Sequence, residues 1–250
     1  MFSRKWNLFM GEINDFYVKN EGNVWFRGHS NKGKDDIHET FKLTSGLFRG
    51  KEDLNATLKL ENNYIYEFLH NGFSIHKTEN IWALLFIMQH HGVPTRFLDW
   101  TKSVSSALYF ARQGWVKGAH NPSVWLLNPS KMNEVLGGED DIIVLPTKAS
   151  YFKFIKSLDN SQAIASIKNT PRINSQQGHF TMQGNTLLPL DEELREATGR
   201  NDISDICKEI VIDSDLTFDL SVFLEMNGSS HFTMFPDLDG LSREIKGKYY

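Results

Sequence analysis

The sequence predicts an α+β fold, and three observations carry that prediction. Stretches with helical spacing of apolar residues interleave with short apolar runs. No regular strand–helix–strand rhythm of the doubly wound kind appears. Apolar residues make up 40% of the 250-residue chain, with 18 Phe, enough for one substantial core.

Trp6, Phe9, Met10, Ile13, Phe16 and Tyr17 recur at helical spacing and predict an amphipathic first helix. Val24-Trp25-Phe26 reads as a strand closed by Gly28. Glu61, Tyr64, Ile65, Phe68 and Leu69 repeat the helical pattern, and Asn80 is placed to cap a helix over 81–89 that is apolar all round. Residues 95–98 follow the Gly92-Val93-Pro94 turn and read as a strand or tight loop. Val104, Ala107, Leu108 and Ala111 give the next helix. Short strands are expected over 124–127, ended by Asn128-Pro129, over 142–145, ended by Pro146, and over 180–182 and 210–212. Residues 216–226 and 241–248 look helical. No repeat, low-complexity tract or clear linker divides the chain, so one domain over 1–250 is expected, with 1–22 packed on it.

Composition excludes several classes. One cysteine, Cys207, rules out an internal disulfide framework and a thiolate cluster, and its apolar context reads as packing. The longest apolar run is eight residues, against the ~20 that a membrane helix needs. The N-terminus shows no signal-peptide pattern, so a cytoplasmic protein with no membrane partner is expected. A net charge of −4 argues against a generic polyanion binder. Charge is nevertheless uneven. Between Gln89 and His120, Arg96, Lys102, Arg112 and Lys117 face one acid, Asp99, whereas 190–219 carries ten acids and three bases. The basic stretch is a candidate lining for an anionic ligand, or one of two oppositely charged solvated faces. Phosphate-loop, dinucleotide-fold, zinc-protease and serine-hydrolase signatures are missing.

Three clusters place polar groups in apolar frames. In Trp25-Phe26-Arg27-Gly28-His29 an arginine ends an aromatic strand, before a glycine that would let backbone approach a ligand. Arg27 suits bidentate phosphate binding, or pairs with a core carboxylate such as Asp99. In Met88–Ser103, ten of sixteen side chains can hydrogen-bond, among them Gln89, His90, His91, Thr95, Arg96, Asp99, Trp100, Thr101 and Ser103. Adjacent histidines on a helix diverge by about 100°, which disfavours a shared metal, and none is expected. Thr101 and Ser103 precede a helix, where hydroxyls cap free N–H groups or help a helix end meet an anion. The third cluster, Pro171-Arg172-Ile173-Asn174-Ser175-Gln176-Gln177-Gly178, precedes a strand, and Gln177 is a candidate ligand contact or part of a self-bonded turn.

These residues resemble the FRG domain family, named for its Phe-Arg-Gly signature. The resemblance rests on Phe26-Arg27-Gly28, Leu43-Thr44-Ser45 with Arg49, Glu61 and Phe68, the block from Gln89-His90-His91-Gly92-Val93-Pro94-Thr95-Arg96-Phe97-Leu98-Asp99-Trp100-Thr101 to Ala107-Leu108-Tyr109-Phe110-Ala111, Arg172-Ile173-Asn174, Gln177-Gly178 with Phe180-Thr181, and Phe235-Pro236-Asp237-Leu238-Asp239-Gly240-Leu241. It implies an ADP-ribosyltransferase-like mixed sheet with surrounding helices, NAD as substrate, and a toxin or antiviral defence effector. The acceptor implied is RNA, DNA or protein, with a neutralising antitoxin or immunity protein as a possible partner. Arg27, Asp99, Thr101, His91 and Gln177 would be the catalytic set. Phe26, Arg27, Gly28, His29, Gln89, His90, Thr95, Arg96, Trp100 and Ser103 would seat NAD. One departure stands out: Gln176-Gln177-Gly178 occupies the place of the family's glutamate motif, and Asp99 is then the carboxylate that could supply its charge. Glu225 is the one downstream acid in an apolar setting. A non-catalytic nucleotide- or protein-binding module, an NAD hydrolase and a nuclease using His90, His91 and Asp99 remain the other readings.

Overall fold

The computed structural model describes residues 1–30, 43–115, 121–145 and 150–249. Lys117, His120 and Pro146 therefore lie outside the described residues. The elements follow in order as α1 (Arg4–Lys19), β1 (Trp25–His29), α2 (Leu54–His76), α3 (Ile81–His90), β2 (Phe97–Thr101), α4 (Val104–Arg112), β3 (Ser123–Leu127) and α5 (Pro129–Gly137). Then come α6 (Tyr151–Ile155), β4 (Gln162–Ile164), α7 (Pro171–Ser175), β5 (Gly178–Met182), α8 (Leu190–Thr198), β6 (Cys207–Val211), α9 (Thr217–Met226), α10 (His231–Met234) and α11 (Leu238–Tyr249).

The fold is α+β, built on a six-stranded sheet of order β4-β5-β2-β1-β3-β6. The expected mixed sheet is corrected: all five strand pairings are antiparallel. The 142–145 segment contributes only one parallel bridge, Ile143 to Ile164. Of the strand or tight loop expected over 95–98, the strand forms but runs from Phe97 to Thr101, so Asp99 and Trp100 are strand residues with alternating faces.

That alternation sorts the core. On one face, Phe26, Val124, Leu126 and Ile210 pack under α1, α4 and α9. On the same face, Phe97, Phe180, Met182 and Ile164 pack under α3 and α6. The opposite face buries Trp25, Leu98, Trp100, Trp125 and Leu127 against α5 and α8. Between the two clusters of the first face, Asp99 is exposed and Thr101 is buried beside it.

The sheet is pinched open at the same place. β1 and β2 share one paired position, Phe26 opposite Thr101, while β1 pairs with β3 over five. Gly28 explains why α4 lies so close to β1. A Cβ there would sit 1.9 Å from the Ala107 carbonyl oxygen and 2.5 Å from the Ala111 nitrogen. Its lack of a side chain admits the helix, and Gly28 also lines the cleft described below.

Candidate functional site

The notch between β1 and β2 opens into a cleft of about 290 Å³. Phe26, Arg27, Asp99 and Thr101 come from the strands, Phe110 and Gln113 from the α4 side, and Arg172 and Gln176 from α7 and the residue after it. A recess of about 60 Å³ adjoins it, sharing Asp99, Trp100, Arg172 and Gln176 and adding Gln89 and His90 of α3. Larger hollows of about 500 and 610 Å³ lie elsewhere, but no cationic side chain lines either. Of these hollows, the smaller cleft and its recess are the ones lined by cationic side chains.

Arg27 leaves β1 beside the notch and reaches across it. Its Nη1 donates to the Asp99 backbone carbonyl at 2.7 Å and its Nε donates to His29 Nε2 at 3.1 Å. Burial pulls the Arg27 pKa down to about 10, against Asp99, which holds it up, and Arg49 lowers it further. The group stays cationic at neutral pH. Burial, with Arg27 and Arg49 nearby, pushes His29 far down to about 2, so its imidazole is neutral and Nε2 is free to accept.

Arg49 and Arg172 both feel the Asp99 charge. Burial lowers both, and Asp99 opposes the shift in each; Asp237 also opposes it for Arg172. Arg27 and Arg172 line the cleft with Asp99, whereas Arg49 lines neither hollow and donates from Nη2 to the Thr44 carbonyl at 3.2 Å. Arg172 is oriented by a hydrogen bond from Nη1 to the His90 carbonyl, 3.2 Å, and by the Phe235 ring, 4.5 Å from its carbon. Gln176 Nε2 donates to the Met234 carbonyl at 2.9 Å, tying α7 to α10 along this wall.

Several expected site residues serve other ends. Arg96 is fully buried: Nε donates to Glu61 Oε1 at 2.7 Å, Nη1 donates to the Gln183 carbonyl at 3.0 Å, and Tyr151 shares Glu61. It belongs to the core and not to the cleft. Thr95, 1% exposed, is likewise internal. Thr101 lines the cleft, but its hydroxyl donates to the Gln176 carbonyl and accepts from the Ser103 amide. Ser103 caps α4 through the Ser106 amide, the capping alternative of the two. Trp100 is buried on the opposite sheet face, where its indole N–H donates to Thr181 Oγ1 at 3.0 Å. His90 lines the recess, whereas His91 is exposed at the end of α3 and lines neither hollow.

Gln177 does not line either hollow; Gln176 does. The reason is backbone geometry. Gln177 has φ of 47°, a left-handed turn that swings its side chain to solvent between α7 and β5. The sequence reading also left out Arg49, Arg172 and Gln176 as site residues. Their only available signal was that all three sit in or beside short polar motifs already quoted. Glu225 is exposed on α9 and lines neither hollow. Among the described residues, no three His, Cys, Asp or Glu side chains are placed to hold a metal ion. No helix among them is long and apolar enough to cross a membrane.

Residues 22–118 match the family model of the FRG domain. No curated protein and no solved structure matches the chain.

Proposed function

We propose, since the chain carries an FRG domain over residues 22–118, that its cleft binds NAD and transfers ADP-ribose to a macromolecular acceptor. The observation that carries this reading is that Arg27, Asp99 and Arg172 line one cleft, with Arg27 donating to the Asp99 carbonyl across the notch. An excess of guanidinium over carboxylate suits a pyrophosphate, and the aromatic walls of Phe26 and Phe110 suit planar rings. In the reaction, the bond between ribose C1′ and the nicotinamide nitrogen breaks, and nicotinamide takes the electron pair. The acceptor nucleophile then bonds to C1′. Arg27 holds a phosphate. Asp99, the carboxylate on the cleft floor, offsets positive charge on the ribose and takes the acceptor's proton. Such an activity fits a toxin or defence effector acting on RNA, DNA or protein, with a neutralising partner protein to restrain it. Water as the acceptor gives NAD hydrolysis.

A binding module without catalysis is the second reading, favoured by the absence of a glutamate from Gln176-Gln177-Gly178, where the resemblance implies one. Purified protein incubated with NAD labelled on the adenine side, with and without cell lysate, separates them. Nicotinamide release, with label on lysate macromolecules or in free ADP-ribose, is expected. Arg27→Ala and Asp99→Ala should each lower it by about 10²-fold or more, as losing one electrostatic catalytic contact does. Binding of NAD without release supports the binding module. No binding and no release, with wild type equal to Arg27→Ala, overturns both.

A further inference from the structure

The Asp99 side chain receives one hydrogen bond among the described residues, from Gln89 Nε2 to Oδ2 at 2.7 Å. The direction of that bond is set by a chain of donors that starts in the backbone. The Phe97 amide donates to Thr95 Oγ1 at 3.1 Å. With that oxygen already accepting, the Thr95 hydroxyl proton is free to go to Gln89 Oε1, 2.6 Å away. Once Oε1 accepts, the NH₂ end of the amide must face Asp99. A flipped amide would place its oxygen against a carboxylate and its NH₂ against a hydroxyl that would then have nothing to donate to.

The local fold keeps the three groups in register. Gln89 lies in the last turn of α3, and the chain doubles back at once: the Val93 amide donates to the Met88 carbonyl at 3.0 Å, with Gly92 at φ of 78°. This turn returns Thr95 to the side of Gln89, at the entrance to β2, two residues from the strand that carries Asp99. Thr95 is buried and Asp99 is exposed. A hydrogen bond to an exposed carboxylate contributes little to folding, while fixing a glutamine side chain costs rotamer freedom. Packing alone gives no reason to order a long polar side chain here.

We propose that Gln89, oriented by Thr95, is a positioning residue: it holds Asp99 by one carboxylate oxygen and leaves the other presented to the cleft. This rests on the NAD-transfer reading for its chemical consequence, though not for its geometry. Held this way, Asp99 offers the same oxygen to every substrate, at a fixed distance from the phosphate held by Arg27. In a strand whose neighbour has peeled away, the carboxylate would otherwise sample several rotamers.

The test has two arms. In ¹⁵N-correlated NMR spectra of the full chain, the Gln89 side-chain amide is assigned by its disappearance in Gln89→Leu. Thr95→Val is expected to shift that signal and to speed its exchange with solvent by about tenfold, the effect of losing one hydrogen bond to a charged partner. Thr95→Ser should restore the wild-type signal. In the second arm, Thr95→Val lowers kcat for nicotinamide release by about tenfold, with KM for NAD within about twofold, and Thr95→Ser recovers it. A Gln89 signal indifferent to Thr95→Val overturns the proposal. So does a kcat loss that Thr95→Ser fails to recover. If wild type releases no nicotinamide, the transferase reading fails, and the spectroscopic arm still decides the relay.

Discussion

Gly28 and Gln177 show how a single backbone position redirects function. Read from sequence, a glycine after an arginine looks like room for a ligand, yet the space is filled by the Ala107 carbonyl and Ala111 amide of α4. The glycine lines the cleft itself, and by admitting α4 it also brings Phe110 there. Gly28→Ala is expected to lower the unfolding free energy by about 3 kcal/mol, since the added methyl meets rigid backbone and not a yielding side chain. Urea denaturation measures this, and a loss under about 1 kcal/mol would mean that α4 is not docked so tightly. Gln177 teaches the converse. Its identity drew attention, but its left-handed φ hands the cleft to Gln176. A one-residue offset of that kind depends on how α7 ends and β5 begins, and no local pattern encodes it.

Elements were legible where their own residues determine them. The apolar spacing of α1, α3 and α4 and the aromatic run of β1 are strong local signals, and those elements stand close to where the pattern puts them. The three-residue β4 and the five-residue α6 and α7 are too short to carry a period, and pairing with β5 or burial of Tyr151 and Ile173 defines them instead. Arg96 illustrates the same limit at the site. Its place in a dense polar motif suggested a ligand contact. Its actual partner, Glu61, comes from the middle of α2, 35 residues earlier, and Tyr151 of α6 completes the set. The three groups lock α2, α6 and the start of β2 together in a dry interior. Arg96→Met or Glu61→Leu alone should cost about 3–5 kcal/mol by leaving a buried charge unpaired, whereas the double variant should cost far less. Additive losses in a double-mutant cycle would show the pair to be uncoupled.

Across the whole molecule, one sheet face carries two apolar clusters, and the cleft is the seam between them. The α1–α4–α9 cluster supplies Phe26 and Phe110; the α3–α6–α7 cluster supplies the recess. The segment around α10 crosses this seam. Met234 is buried in the first cluster, while its carbonyl accepts from Gln176 beside the second. Phe235 then packs edge-on to Phe110 and against the Arg172 guanidinium. A chain with net charge −4 thus keeps a cationic seam by pressing Arg172 between an aromatic ring and a backbone carbonyl.

That arrangement makes Phe235 a long-range determinant of affinity, although it touches no ligand in the proposed reading. Phe235→Leu retains most of the apolar volume, so the unfolding free energy should fall by less than about 1.5 kcal/mol. It removes the quadrupole that steadies Arg172, worth about 1 kcal/mol at a half-exposed site, so NAD affinity measured by calorimetry should weaken by roughly fivefold. Arg172→Ala, which removes the charge itself, should weaken it further, and combining the two should add little, because the ring acts through the guanidinium. Full additivity of the two losses would place Phe235 in contact with the ligand instead. Unchanged affinity in Phe235→Leu would leave the hydrogen bond to His90 as sufficient to aim Arg172.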